Sequence, residues 1–231
     1  MIPMKEIILT GMDLKLTSES LLDRINFNRG GEEAEMIQQM AEEAVEIASP
    51  KGLYSIAYIG SKSEDRVAIE GVTFTSRVLR VNLNEAQRVF PYVVTCGQEL
   101  AEWSAEYDDI LENYLADNIM EIYLIEARDF LKKHISANYN PGKISKMNPG
   151  SLKDWPISEQ TGLFELLGDV TGKIGVELTG TYLMKPIKST SGIWFPAEID
   201  YKNCQLCPRQ DCPGRQVEYQ EELYQERYQK S

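Results

Sequence analysis

The longest helical pattern covers residues 98–134, and it limits the folds open to this 231-residue chain. Leu111, Leu115, Ile119 and Ile122 recur at steps of three and four, and Tyr123, Ala127 and Phe130 continue the stripe. An apolar stripe of that length must be buried against a second layer. The pattern is also longer than an ordinary globular helix, and Asp108-Asp109 after Tyr107 offers an N-cap. It predicts two helices that break at residues 107–109.

Shorter signals surround it. Residues 5–10, 53–59, 67–74 and 92–95 read as strands, and residues 82–90 as a helix. Over residues 31–49, Ala34, Ile37, Met40, Ala41, Ala44 and Ile47 make an apolar helical face. Glu32, Glu33, Glu35, Glu42, Glu43 and Glu46 form the opposite, solvated one. After the turn signal Asn138-Tyr139-Asn140-Pro141-Gly142 the texture changes: residues 143–195 carry seven of the sixteen glycines. There, residues 158–167 read as a helix capped by Ser158, and residues 174–178 and 191–195 as strands. Residues 216–231, with four glutamates, read as a polar surface helix. No internal repeat is visible. The mixture lacks regular βαβ spacing, so the expected class is α+β, a mixed or antiparallel curved sheet with long helices. The expected organisation is an α+β portion over 1–97, a core over 98–200 packed with it, and a cysteine-containing tail over 201–231.

Composition excludes several functions. Lys and Arg number 24 against 36 Asp and Glu, a charge of −12 that disfavours nucleic acid. Residues 141–190 depart from this trend, with six lysines and five acids, so an anionic or carboxylate-bearing ligand is expected there. No apolar run approaches the roughly 20 residues of a membrane span. The start Met1-Ile2-Pro3-Met4-Lys5-Glu6 makes a poor secretion signal, and the chain reads as cytoplasmic. With His134 as the single histidine, a two-histidine metal site is excluded.

Four constellations carry potential chemistry. In Lys146-Met147-Asn148-Pro149-Gly150-Ser151, a Pro-Gly turn lets a ligand approach the backbone while Lys146 pairs with a carboxylate; an ordinary surface turn is the simpler reading. The hydroxyl run Ser189, Thr190, Ser191 can line a polar pocket, or be a β-loop of turn formers. Asp117 and Glu121, four apart on one helix face with Arg128 beyond, can hold an ammonium or sulfonium, or simply face water. Finally, Cys204-x2-Cys207-x4-Cys212 places three thiols within nine positions. They suit Zn²⁺ or an iron–sulfur cluster with a fourth ligand from Cys96, His134, a carboxylate, water or a partner; otherwise they are free thiols.

Taken in order, the segments from Tyr107 to Phe195 resemble the activation domain of vitamin B12-dependent methionine synthase, especially its free-standing bacterial relatives. The resemblance rests on Asp108-Asp109, Leu115-Ala116-Asp117 with Glu121, Pro149-Gly150, Leu163-Phe164-Glu165-Leu166-Leu167, Gly175-Val176-Glu177-Leu178-Thr179, Met184, Pro186 and Ser191-Gly192. The tail Cys204-x2-Cys207-x4-Cys212-x2-Arg215 is similar to the free-standing relatives alone. The resemblance implies a protein that binds S-adenosylmethionine and docks over a cobalamin carried by a corrinoid protein or methionine synthase core. With an electron-donor protein, it would restore oxidised cobalamin to its methylated form. It implies Glu121, Lys146, Pro149, Gly150 and Ser151 at the ligand, with Ser189 and Ser191 nearby. A cluster on Cys204, Cys207 and Cys212 would relay the electron if iron–sulfur and be structural if zinc.

Two departures from the family pattern stand out. Lys146 occupies the place of an arginine and Ser151 that of a tyrosine. Trp155 would then supply a stacking face. The competing expectations are a corrinoid-binding scaffold without the ligand site, and a metal or iron–sulfur redox carrier.

Overall fold

The computed structural model describes residues 5–25, 33–198, 201–212 and 214–229. The N-terminal tetrapeptide, the expected helix start at Gly31-Glu32, Pro213 and the last two residues lie outside them.

The strands are β1 (Glu6–Leu9), β2 (Lys51–Ser55), β3 (Ala57–Lys62), β4 (Arg66–Ile69), β5 (Val72–Thr75), β6 (Arg88–Thr95), β7 (Ile144–Met147), β8 (Glu177–Leu178), β9 (Met184–Lys185) and β10 (Ser189–Pro196). The helices are α1 (Ser18–Ile25), α2 (Ala34–Ile47), α3 (Arg77–Asn82), α4 (Gln98–Ser104), α5 (Ile110–Tyr139), α6 (Gln160–Leu167), α7 (Val170–Ile174) and α8 (Glu221–Leu223). The class is α+β, as expected, with all strand pairings antiparallel among the described residues.

The centre is β6. Along one edge it pairs first with β2, down to Tyr92↔Tyr54, and then with β3, from Val89↔Ala57. Along the other it pairs with β10, which carries β7. Between the β2 and β3 registers falls Pro91, at the one stretch of that edge where a missing N–H costs no ladder bond. Seven of the eight β6 residues are buried, because both faces are covered. Phe90, Tyr92 and Val94 pack with α1, α2, α4 and α5, whereas Val89 and Val93 face two smaller clusters on the other side.

The long helical pattern breaks where its sequence predicts. Asp109 caps α5, its carboxylate accepting from the N–H groups of Leu111 (2.8 Å) and Glu112 (3.3 Å). The helix ends at Asn140, in the left-handed conformation, just before Pro141. His134 belongs to this layer, its Nδ1 2.8 Å from the Tyr54 hydroxyl.

Other expectations need correction. The helix expected over 82–90 is instead α3, ending at Asn82, with β6 starting at Arg88. The strand expected over 67–74 is a hairpin, β4 and β5, turning at Glu70-Gly71. Ile174 closes α7, leaving only Glu177–Leu178 extended. Ser158 sits inside a short 3₁₀ turn, Ile157–Glu159, and caps nothing. The tail is not a surface helix: it makes the short α8 and the wide turn Tyr224–Tyr228, and Tyr228 is fully buried in the core beside Trp155 and Tyr201. Tyrosine spacing in a polar segment reads as amphipathic decoration, but one anchored aromatic ring here fixes the segment to the body.

Candidate functional site

β7 runs into a tight turn. Gly150 N–H donates to the Trp155 carbonyl (2.8 Å), Trp155 N–H to Leu152 (3.1 Å) and Ser151 N–H to Asn148 (3.2 Å). Gly150 has φ +82°, where a side chain would be strained. Trp155 anchors the turn from beneath, fully buried and edge-on to Phe74 at 6.0 Å. The expected stacking face is therefore inside the core, unavailable to a ligand.

The turn is tied to β10 by Asn148. Its side-chain amide donates to the Tyr92 hydroxyl (2.9 Å) and to the Ser191 carbonyl (2.5 Å). That approach needs Gly192, since a Cβ there would lie 2.5 Å from both Asn148 Nδ2 and the Met147 carbonyl. The two expected serines turn inward. Ser189 Oγ donates to the Pro186 carbonyl (2.7 Å) and buried Ser191 Oγ to Gln160 Oε1 (2.7 Å). Gln160 in turn donates to the Tyr182 carbonyl (2.7 Å). Both hydroxyl protons thus brace the walls of the site.

Among the described residues three cavities border the turn at Ser151, and one of them, about 820 Å³, opens between residues 150–154 and the tail. The other two hold most of the expected residues. One, about 310 Å³, is lined by Asn148, Pro149, Ser151, Ser189 and Ser191, with Ile157, Leu183 and Ile187 among the residues at its lip. The other, about 460 Å³, is lined by Lys146, Gly150, Ser151, Arg128 and the three tail cysteines. Asn148 and Ser151 border both.

Lys146 lies over the Trp194 ring at 5.6 Å, and Lys132 approaches the same ring at 5.3 Å. Burial, with the neighbouring charge of Arg128, brings the Lys146 ammonium down to about 8. Glu121 is held by another lysine. Lys188, one residue before Ser189, donates to Asp117 Oδ2 (3.0 Å) and Glu121 Oε2 (3.2 Å). Burial disfavours the Lys188 charge, but the two carboxylates outweigh it and raise its pKa. The acidic pair expected to face a ligand cation therefore holds a protein cation. α5 reaches the Lys146 cavity through Arg128, whereas Glu121 and its partner Lys188 line neither cavity.

The cysteine tail is organised by Arg215. Its guanidinium donates to the carbonyls of Cys204 (3.4 Å), Cys207 (3.2 Å), Val217 (3.3 Å) and Arg209. All four thiols are free. Among the described residues no group of three His, Cys, Asp or Glu side chains is placed to hold a metal ion. Cys96, named as a fourth ligand, is buried in the α5-side core, where burial pushes its thiol up to about 12; His134 lies in the same layer. The expected zinc or iron–sulfur site does not fit this arrangement.

The residue run 146–151 and the hydroxyl run meet at β10. Asn148, Gln160 and Lys188, which do the connecting, carried no signal of their own: each is an ordinary polar residue whose partner lies far along the chain. Among the described residues no helix is long and apolar enough to cross a membrane.

No protein-family profile matches this chain, and no curated protein matches it. Among solved structures, its fold is similar to one described as the MetH reactivation domain bound to AdoHcy, with a TM-score of 0.57 at 13% identity, covering 87% of this chain and 80% of that one. At that identity the likeness speaks for the fold: an activation-domain-like arrangement of helices on an antiparallel sheet.

Proposed function

We propose that this chain is a reactivation module that binds S-adenosylmethionine around residues 146–151 and offers its methyl group to a cobalamin held by a partner corrinoid protein or synthase core. One juxtaposition supports the reading: on a reactivation-domain-like fold, the Lys146–Ser151 turn, the start of β10 and Arg128 of α5 border two adjoining cavities. Their volumes, about 310 and 460 Å³, lie in the range of small-molecule sites. The solved neighbour holds AdoHcy, the demethylated form of that methyl donor.

Lys146 and Arg128 offer charge to the ligand carboxylate. Pro149 and Gly150 give the backbone close access, and exposed Ser151 reaches both cavities. Asp117 and Glu121 supply negative potential for an ammonium or sulfonium, which must share them with Lys188. Exposed Leu183 (55%) and Ile187 (76%) form an apolar rim on which a partner domain excludes water. Bound together, an electron from a donor protein and the sulfonium methyl convert cob(II)alamin to methylcobalamin and leave S-adenosylhomocysteine. This chain contributes proximity and orientation. The cysteines are given no step.

The inward Ser189 and Ser191 and the occupied acidic pair favour the competing scaffold reading, in which ligand binding is lost. Calorimetric titration with S-adenosylmethionine separates the two, because no heat at millimolar ligand leaves the scaffold. For the favoured reading, mixing the protein with a cob(II)alamin-loaded corrinoid protein, reductant and S-adenosylmethionine produces the methylcobalamin spectrum. Omitting the protein abolishes it.

A further inference from the structure

β10 spans about 23 Å from Ser189 to Pro196 at the usual strand rise. Its start borders the cleft just described, and its end borders a larger cavity of about 950 Å³. α3, the approach to β7 and the tail turn Tyr224–Tyr228 enclose it. Among the described residues four cations line it, Arg77, Arg80, Lys143 and Arg227, against two acids, Glu85 and Glu198. In a chain of charge −12 such a local excess is out of keeping with the surface as a whole. Among the described residues none of the four is ion-paired to a carboxylate.

Two of the cations are held in place. Arg77 donates from Nε to the Tyr228 carbonyl (3.1 Å) and from Nη1 to the Glu64 carbonyl (2.5 Å). Arg80 donates from Nε to the Ser63 carbonyl (2.9 Å). Carbonyl oxygens fix a guanidinium plane without cancelling its charge. Among the described residues, Nη2 of each arginine makes no hydrogen bond. The entropy of ordering these side chains is thus already lost before any ligand arrives. Preset guanidinium edges around a concave site match the several acceptor oxygens of a phosphate. Val81, Pro141 and Pro196 add apolar wall for a ring.

We infer that this cavity binds a phosphate ester carrying a ring, of the mononucleotide class. The site is separate from the methyl-donor cleft and does not rest on the reading given for it. Its concavity and its two acids disfavour a broad acidic protein surface, which would meet Glu85 and Glu198 as like charges.

The test is calorimetric titration of the full chain with adenosine monophosphate, inorganic phosphate and adenosine. The expected result is saturable binding of the monophosphate, weaker binding of phosphate and none of adenosine. Lys143→Glu and Arg227→Glu each weaken the monophosphate at least tenfold. Lys143 is exposed and its side chain makes no described bond, so that variant keeps the fold. Lys133→Glu, the same charge change on exposed α5 surface, leaves affinity unchanged. Saturating S-adenosylmethionine does not displace the monophosphate. The inference is overturned by absent binding at millimolar monophosphate, by equal loss in Lys133→Glu, by displacement with S-adenosylmethionine, or by a polyglutamate peptide binding as tightly.

Discussion

The two faces of β6 are covered differently: longer helices dominate one, whereas the short helices α3, α6 and α7 share the other with single anchored side chains. On one side α1, α2, α4 and α5 lay down repeating apolar stripes, with Leu115, Ile119, Ala127 and Leu131 of α5 fully buried. On the other, the cover includes single side chains from a turn, a connecting segment and the tail: Trp155, Tyr201 and Tyr228. Both faces are equally dry, so burial does not require periodicity. What differs is how many residues share each constraint. A helix commits a whole stripe at once, whereas a buried residue in a turn is fixed by one neighbourhood.

If the irregular face were a loose lid, its largest member would be cheap to remove. We expect the opposite. Trp155→Ala, at a fully buried ring that also anchors the Gly150 turn, costs about 3–5 kcal/mol. Leu115→Ala on the helical face costs about 2–5 kcal/mol. Denaturant unfolding of the two variants checks this, and a Trp155→Ala loss below 1 kcal/mol would show that the tail-covered face is only draped on the sheet.

Next in size is Gly192→Ala, at the seam between the faces. The new methyl meets Asn148 Nδ2 and the Met147 carbonyl at 2.5 Å, and the second of these is backbone. Overpacking of this kind costs about 1–3 kcal/mol, and releasing Asn148 frees the 148–151 turn. Thermal unfolding gives the cost. A variant as stable as the parent would mean that β7 and β10 can part easily, and the turn would lose its claim to rigidity.

The same contrast decides what could be read from the chain. The α5 boundary was legible because Asp109 acts on its own helix end, through N–H groups two and three residues ahead. Asp109→Ala should accordingly cost about 1 kcal/mol, a local loss visible as a lower unfolding midpoint. The hairpin at Glu70-Gly71 was missed because an apolar count over residues 67–74 does not weigh a two-residue turn. The residues of the candidate cleft were partly legible, since Lys146 to Ser151 and Ser189 to Ser191 are short runs with their own turn chemistry. Lys188 on Glu121, Gln160 on Ser191 and the burial of Trp155 were not. Each depends on a partner more than twenty residues away, and no local pattern encodes which distant group fills an acceptor. The tail failed similarly: Arg215 gathers four carbonyls by conformation, and its sequence shows only one arginine after a cysteine run.

The smallest effect distinguishes stability from function at the seam itself. Lys146 is charged below about 8 and neutral above, because burial and Arg128 disfavour its ammonium more than Asp129 supports it; Lys132 adds to the repulsion. Its folded pKa lies below the unfolded value, so the folded state holds fewer protons between those pKa values and gains stability as pH rises through that window. Lys146→Met removes this burden and should leave the protein no less stable at pH 7. A carboxylate ligand acts in the opposite sense, since it needs the charged form. Between pH 7 and 8.5 the protonated fraction falls about fourfold, and affinity for S-adenosylmethionine should fall with it. In Lys146→Met that slope should vanish along with most of the affinity, while the protein is no less stable at pH 7. Binding that is flat across this range in the parent protein would remove Lys146 from the ligand site and leave it a solvation cost of the fold.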